Sequence, residues 1–278
     1  MPRGKVYTDR LPGRFEGLPW PSVEGAKRYN VCSSSNQLIG GHPARQLSPF
    51  FVGPIHLALP PVDGSGEAEV DVTCIENYWQ ASKVWPGELA TDDKEAALRH
   101  WLHGSPREVD TREGLPSAAW FERRRKYWAD PEPHRRIKRG TKKNNDDPLH
   151  CWWLGKAYPY VEARCRMYIP MYADLVARTP AYRALKAEVD AGQDVLLIGY
   201  DGYPTPKPLV EYLRDPAVRF GHELVLAAML RDEAPWEALY PDIERVWEVP
   251  ESLVPNIRRK KRAGDGDGRK SKKKKQIC

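Results

Sequence analysis

The sequence has few of the features that stabilise secreted or membrane-embedded domains. Its five cysteines, at positions 32, 74, 151, 165 and 278, are odd in number and include no Cys-x-x-Cys pair. This disfavours disulfide scaffolds and structural zinc sites, and favours a reducing, intracellular compartment. No run approaches 18 apolar residues, so we expect no membrane partner. Residues 1–10 lack the apolar segment of a signal peptide.

Signatures of several common enzyme classes are also missing. There is no glycine-rich phosphate loop and no Gly-x-Ser-x-Gly nucleophile elbow. His100 and His103 have the spacing of neighbours on one helix face, but no third ligand lies near them in sequence, which favours a polar surface over a metal site. Cys151 and Cys165 are interpreted as buried, inert thiols. We therefore predict neither a metal nor a cofactor.

Negative charge prevails once two basic segments are set aside. The chain carries a formal charge of +6. Residues 258–278 hold eleven Lys/Arg and two Asp, and residues 122–143 hold ten Lys/Arg and three acidic residues, so these segments contribute +9 and +7. The remaining residues therefore sum to −10, which is typical of an acidic body with two basic segments rather than of a uniformly basic nucleic-acid coat.

The pattern of elements predicts an α+β domain, helix-rich and built around a small sheet. Residues 1–30 are predicted as an extended lead-in, 31–250 as the domain with an insertion at about 104–152, and 251–278 as a basic disordered tail. Strands are expected within 50–59 (bent at Gly53-Pro54), 68–72 and 194–200. Helices are expected at 73–86, 92–103, 117–128, 160–177 (broken at Pro170), 179–192, 215–231 and 236–247.

One segment combines a helix start with a polar stripe. Thr73-Cys-Ile-Glu76 fits a capping box, in which the threonine and glutamate side chains satisfy backbone N–H groups. Glu76, Gln80 and Lys83 then lie on one helix face, with Trp79 beside them. Taken alone, the stripe is more simply explained as a solvated face with an i,i+4 pair. In the first turn, however, the helix dipole favours an ionised Glu76, and an ionised carboxylate can activate water or stabilise a cationic sugar.

This segment resembles a signature of the NADAR superfamily. Glu76-Asn-Tyr-Trp-Gln-Ala-Ser-Lys83 is similar to its Glu-His-aromatic-aromatic-Gln-Ala-x-Lys motif. Leu47-Ser-Pro-Phe-Phe-Val-Gly-Pro-Ile55 resembles the strand before that motif, and Phe220-Gly-His-Glu-Leu-Val-Leu-Ala-Ala-Met-Leu-Arg231 resembles the closing helix. Asn77 stands where the family commonly has His, and Tyr200-Asp-Gly-Tyr203 stands in the region of the family's Asp-x-x-Trp-Gly.

The resemblance implies an α+β enzyme that cleaves N-glycosidic bonds in ADP-ribosyl or ribosyl-phosphate adducts, including ADP-ribose on guanine in nucleic acid. It implies Glu76 as the carboxylate at the anomeric carbon and Asp201 as the group that orients water or a hydroxyl. Other ligand contacts are implied for aromatic residues that would stack on a base and for polar residues that would hold ribose or phosphate: Phe50, Phe51, Asn77, Trp79, Gln80, Lys83 and Tyr200. No metal is required. The alternative is a module that binds ADP-ribose or nucleic acid without cutting.

The basic segments leave further alternatives open. Residues 122–143 interleave aromatics with charge, which suits DNA or RNA contact through Arg123, Arg124, Arg125 and Trp128, or equally a solubilising loop. The two basic clusters of the tail indicate a nuclear-targeting signal, a polyanion tether or only a charged surface. A third hypothesis attributes all function to nucleic-acid binding by this tail.

Overall fold

Helices and small sheets alternate irregularly along the chain, and the predicted α+β class is confirmed. The computed structural model describes residues 2–12, 20–61, 66, 68–85, 87–90, 115–131 and 148–253. The helix predicted at 92–103, most of the 131–148 segment and residues 254–278 of the tail lie outside the described residues. None of the described helices has the length and apolar character needed to span a bilayer.

Ten strands are described, and they are short. They are β1 (Val6–Arg10), β2 (Lys27–Asn30), β3 (Leu38–Ile39), β4 (His42–Pro43), β5 (Ile55–Ala58), β6 (Glu69–Val72), β7 (Lys83–Val84), β8 (His150–Trp153), β9 (Lys156–Tyr158) and β10 (Val195–Gly199). β3 pairs with β4, β5 with β6, and β7-β8-β9 form a three-stranded sheet, all antiparallel.

The helices are α1 (Ile75–Ala81), α2 (Ala118–Ala129), α3 (Tyr160–Ala163), α4 (Ile169–Val176), α5 (Pro180–Asp190), α6 (Leu209–Arg214), α7 (His222–Leu230) and α8 (Pro235–Leu239). A 3-10 turn covers Ala44–Leu47, and a π turn, Arg164–Tyr168, joins α3 to α4.

The central sheet is parallel, in the order β1-β10-β2. Every residue of β10 is buried, as expected for the middle strand of a parallel sheet covered on both faces. The description of residues 1–30 as a lead-in needs correction, because β1 and β2 are the outer strands of this sheet. Neither is a continuous apolar run, so their pairing with β10 has little local signal.

Parallel strands end at the same sheet edge, and here that edge carries two loops. Residues 31–34 follow β2, and residues 200–203 follow β10. Ligands of parallel sheets bind at carboxyl-terminal edges of this kind. This edge is therefore a candidate ligand-binding site.

Helix α1 begins without the predicted capping box. Its N-cap residue is Cys74, with no side-chain cap, and the Thr73 hydroxyl donates to the Trp128 carbonyl at 3.1 Å. The Pro49 and Val52 carbonyls instead accept from the Glu76 and Ile75 amides, at 3.1 and 2.9 Å. Backbone from the preceding turn thus satisfies N–H groups that a helix start leaves unpaired. The turn also contains Phe50 and Phe51, so the predicted strand is limited to β5.

The predicted break at Pro170 is a wide turn instead. The Ile169 amide bonds to the Arg164 carbonyl, five residues back, and α4 continues directly from the π turn. Pro170 lies in the first turn of α4, where its missing N–H removes no bond that the helix requires.

Other helix ends show which local signals were reliable. Thr179 caps α5 by accepting from the Tyr182 amide at 3.2 Å, and Gly192 follows with a φ of +95°, as predicted. Asp215 forms only a local turn by accepting from the Ala217 amide at 2.9 Å, so the predicted helix begins later, at α7. The 236–247 prediction is reduced to α8.

The described parts of the predicted insertion contribute to the core. Trp128, on α2, belongs to the main apolar cluster, and Trp120 and Trp152 belong to a second cluster that α2 shares with β8. At the start of the predicted tail, Leu253 is buried and its amide donates to the Arg178 carbonyl at 3.1 Å.

Candidate active site at the carboxyl ends of the central strands

A chain of donors fixes the carboxylate of Glu76. Lys83 Nζ donates to Gln80 Oε1 at 3.0 Å, and Gln80 Nε2 donates to Glu76 Oε1 at 2.8 Å. Because the ammonium occupies the amide oxygen, the amide nitrogen of Gln80 must face Glu76. The three side chains of the predicted stripe thus contact one another in sequence. Of these two hydrogen bonds, one reaches the Glu76 carboxylate, at Oε1.

The protonation state of Glu76 differs from the expected one. Burial raises its pKa from 4.5 to about 7, while the Gln80 hydrogen bond and the Lys83 charge act to lower it and the Asp201 charge adds to the rise. The expectation of a fully ionised group assumed that the helix dipole dominates, but α1 has only seven residues. Desolvation therefore outweighs the helix terminus, and the group titrates near neutral pH.

Asp201 lies on the loop that follows β10. Its Oδ1 pairs with Arg219 Nη1 at 3.1 Å, and the carboxylate is partly exposed. The Asp201 charge helps to raise the pKa of Glu76, of Tyr168 and of Glu223. Asp201 and Glu76 are therefore within electrostatic reach of one another, although no hydrogen bond between them is described.

Trp79 is enclosed, which overturns its predicted stacking role. Lys83 Nζ lies 5.1 Å from its ring centroid, and the rings of Tyr168 and Tyr160 lie 5.3 and 6.3 Å away. Only 9% of Trp79 is exposed. Its ring is part of the wall of the site and has no open face for a base.

Other aromatic residues remain at or near the surface. Phe50 and Phe51 are partly buried, and the Arg45 guanidinium lies 6.0 Å from the Phe51 ring. Tyr200 is 54% exposed, and its hydroxyl lies 3.2 Å from Ser34 Oγ, linking the two loops at the sheet edge. Tyr200 is therefore the predicted ligand contact with the most open ring.

Asn77 faces away from the ligand side of α1. It is fully buried, and its Nδ2 donates to the Asp130 carbonyl at 3.1 Å. The prediction that Asn77 binds ligand is therefore wrong: the side chain holds α1 against the end of α2.

The predicted nucleic-acid contacts on α2 are mostly internal. Arg124 is 1% exposed, with its guanidinium 4.9 and 4.4 Å from the rings of Trp120 and Trp128, and Trp128 is fully buried. Arg123 pairs with the buried Glu88, Nε to Oε1, at 2.8 Å. Residues four apart share one helix face, and here that face packs inward. Of the four predicted contacts only Arg125 is exposed.

Sequence reasoning missed the groups on the other side of the site. Tyr168 and Tyr172 are buried and stacked, with centroids 6.1 Å apart, and His222 lies edge-on to Tyr172 at 6.2 Å. Glu223 is completely buried, and its charge contributes to raising the pKa of Tyr168, Tyr172 and Cys32. Their only sequence signal was membership of helices expected to pack into the core.

No family of known proteins matches this chain. Comparisons with protein-family models, with curated proteins and with solved structures all returned no match.

Two further observations bear on what the site could hold. A surface groove of about 660 Å³ between α4, α5 and α7 is lined by residues such as Asp174, Lys186 and Trp236, and by none of the candidate site residues. Within the described ranges, no group of three or more His, Cys, Asp or Glu side chains is arranged to hold a metal ion.

Proposed function

We propose that the protein hydrolyses an N-glycosidic bond in an ADP-ribosyl or ribosyl-phosphate adduct, with guanine in nucleic acid as one candidate leaving base. The observation that carries this proposal is the carboxylate of Glu76, held by the Lys83–Gln80 donor chain within electrostatic reach of Asp201. The resemblance of residues 76–83 to the NADAR signature supplies the substrate class.

In the proposed reaction, the bond between the anomeric carbon and the base nitrogen breaks, and its electron pair leaves with the base. The sugar becomes cationic at that carbon, and ionised Glu76 stabilises this charge electrostatically. Water then adds its oxygen to the anomeric carbon and releases one proton, and the departing nitrogen gains one proton. Asp201 would orient the water, and Tyr200 would stack on the base.

The roles of Gln80 and Lys83 are narrower than the resemblance implies. Both side chains are engaged in the chain that ends at Glu76. Their first task would be to keep Glu76 in one orientation and to favour its ionised form. Contacts with ribose or phosphate would be additional.

The test is a substitution that removes the charge and keeps the shape. Glu76→Gln is expected to lower kcat for ADP-ribosyl-guanine hydrolysis at least ~100-fold, the usual scale for losing one electrostatic stabiliser. Glu211→Gln is the matched control, because Glu211 also lies in the first turn of a helix but is exposed. Full activity in the Glu76 variant would rule out the assignment.

A binding module without turnover is the second candidate. It is favoured by the pKa of about 7, which leaves part of Glu76 uncharged at neutral pH. Measuring ADP-ribose affinity and turnover together between pH 6 and pH 9 separates the two functions. Tight binding with no hydrolysis across that range would support the module.

Nucleic acid and a nuclear location remain proposals of their own. They rest on the exposed Arg125 and on the eleven basic residues of 258–278. Truncation at Ile257 should lower non-specific DNA affinity and nuclear accumulation while leaving hydrolysis of a free adduct unchanged. Loss of all ligand binding on truncation would instead support the hypothesis that the tail alone is functional.

A further inference from the structure

Helix α7 begins where the two loops of the sheet edge meet. His222, its first residue, has Nε2 3.0 Å from the Val31 carbonyl, in the loop after β2. Its Nδ1 lies 3.3 Å from Oε2 of Glu223. Glu223 in turn lies beside the loop after β10, because a Cβ added at Gly202 would lie 3.4 Å from its Cγ.

The hydrogen bond to Val31 determines which imidazole nitrogen carries a proton. A carbonyl oxygen only accepts, so Nε2 must donate. Nδ1 is therefore the nitrogen that faces Glu223, and it contacts Oε2 at 3.3 Å without normal hydrogen-bond geometry.

Glu223 occupies a compartment that glycines leave open. A Cβ added at Gly199 would lie 2.3 Å from the carboxyl carbon of Glu223, and one at Gly221 would lie 2.5 Å from Oε1. A Cβ at Gly202 would meet Cγ at 3.4 Å and the Asp9 carbonyl at 2.1 Å. Any side chain at these positions would therefore displace the glutamate or the loops.

The Glu223 carboxyl group has few hydrogen-bond partners among the described residues. Neither carboxyl oxygen of Glu223 has a side-chain or backbone hydrogen bond of normal geometry among the described residues, and both are fully buried. Other described titratable groups within electrostatic reach of Glu223 are Asp201, Cys32, Tyr168, Tyr172 and Tyr203. A buried carboxylate with so few donors is costly, and an apolar side chain of similar volume would be as stable or more stable.

We propose that the His222–Glu223 pair is a positioning element that joins the loop after β2 to the loop after β10 and so sets Asp201 and Tyr200 relative to Glu76. Its effect on hydrolysis rests on the proposed function, whereas its effect on the loops does not. The pair touches both loops from one helix terminus, and it is the buried counterpart of the exposed Tyr200–Ser34 contact.

The decisive variants separate hydrogen bonding from volume. Glu223→Leu fills the space without a polar group, and Glu223→Gln keeps a polar group of the same shape beside Nδ1. For His222, Gln places its amide nitrogen near the Nε2 position and keeps the Val31 bond, whereas Asn places it near Nδ1 and keeps the Glu223 contact. We expect each histidine variant to loosen the loops, because each keeps only one of the two contacts that His222 makes.

The first measurement is amide hydrogen exchange in the full chain without ligand, over peptides covering 31–34 and 199–202. We expect Glu223→Leu to speed exchange in both loops about tenfold or more without lowering the unfolding temperature, and Glu223→Gln to stay near the parent. Unchanged exchange in the Leu variant, or equal loosening in the Gln variant, overturns the proposal. If the Leu variant does not fold, the two histidine variants decide in the same way, and unchanged exchange in both overturns it.

The second measurement is turnover of the ADP-ribosyl adduct. Rescue is the informative pattern: kcat should fall about tenfold or more in Glu223→Leu and recover in Glu223→Gln, with KM changing less than kcat. Equal kcat in the parent and the Leu variant would overturn the link between the pair and the site. If the parent shows no hydrolysis, the proposed function fails while the exchange result still decides whether the pair joins the loops.

Discussion

Two glutamates, each in the first turn of a helix, lie within electrostatic reach of Asp201 but in different environments. Glu76, on α1, is partly buried, and its Oε1 accepts from a donor chain that begins at the Lys83 ammonium. Glu223, on α7, is completely buried behind glycines, and the side chain of His222 lies 3.3 Å from its Oε2. Burial is the largest cause of a raised pKa in both.

The comparison shows that a perturbed pKa alone does not identify a catalytic group. Glu76 combines the perturbation with partial exposure and with a polar face shared with Gln80 and Lys83, which makes it the better candidate for contact with an external molecule. Glu223 is fully buried and enclosed by glycines, so no external molecule can contact its carboxyl group. The environment of Glu223 depends on Gly199, Gly202 and Gly221, which surround it, and that of Glu76 depends on the Lys83–Gln80 donor chain.

The largest effect is expected from adding a side chain at one of the glycines that surround Glu223. Gly199→Ala should cost about 3 kcal/mol of unfolding free energy, because the new Cβ would overlap the Glu223 carboxyl group. Urea unfolding measures this, with Gly41→Ala as control: nothing lies within 4 Å there, and only its φ of +85° carries a cost, about 1 kcal/mol. Adding Glu223→Ala should restore part of the loss; a purely additive double variant would contradict the assigned contact.

The next effect is the loss of folding stability that ionisation of buried Glu76 causes at high pH. Its folded-state pKa of about 7 lies above its ordinary value of 4.5, so the folded chain holds the proton more tightly than the unfolded chain. Stability is therefore present in acid and is lost as pH rises from about 4.5 through 7. Glu76→Gln should be more stable than the parent by on the order of 2 kcal/mol at pH 8, and by little at pH 4. A gain of equal size at both pH values would argue against the raised pKa.

A smaller effect tests the donor chain itself. Lys83→Met removes a positive charge and the donor that orients Gln80, so the pKa of Glu76 should rise further, by up to about one unit. An NMR titration of the Glu76 carboxyl carbon reports this directly. Lys83→Arg retains the charge and serves as control. A downward shift in the Met variant would show that Lys83 does not act on Glu76.

The smallest effect concerns the exposed link between the loops. Tyr200→Phe removes the hydroxyl that lies 3.2 Å from Ser34 Oγ. Because the residue is exposed, unfolding free energy should change by no more than about 0.5 kcal/mol, and amide exchange over 199–202 should stay near the parent. Marked loosening there would mean that the surface contact, rather than the buried pair, holds the loops.

Elements with complete local signals were predicted correctly. The Thr179-Pro180 start and Gly192 end of α5, the Ser117 cap of α2 and the apolar run of β10 all depend on nearby residues. β1 and β2 were missed because their partner lies far along the chain. The capping box failed for the same reason: the Thr73 hydroxyl binds a carbonyl on α2 rather than its own helix.

The hydrogen-bonded stripe on α1 was predicted more accurately than the burial of the residues around it. The spacing of Glu76, Gln80 and Lys83 predicted a shared face, and the hydrogen bonds between them agree. Glu76 is only partly ionised at neutral pH, because its pKa is raised to about 7, and the open positions expected for Trp79, Asn77, Arg124 and Trp128 were wrong. All these errors concern burial, which is set by packing between distant segments and has no signal within one helix.

The π turn at 164–168 sets the direction in which Tyr168 points. One extra residue in that turn rotates everything after it by about 100° about the helix axis, relative to an uninterrupted α-helix. Tyr168, at the end of the turn, is within electrostatic reach of both Glu76 and Glu223, and it stacks on Tyr172 one turn later. Deleting a single residue here would rotate the Tyr168 ring away from the one position in which it responds to both carboxylates.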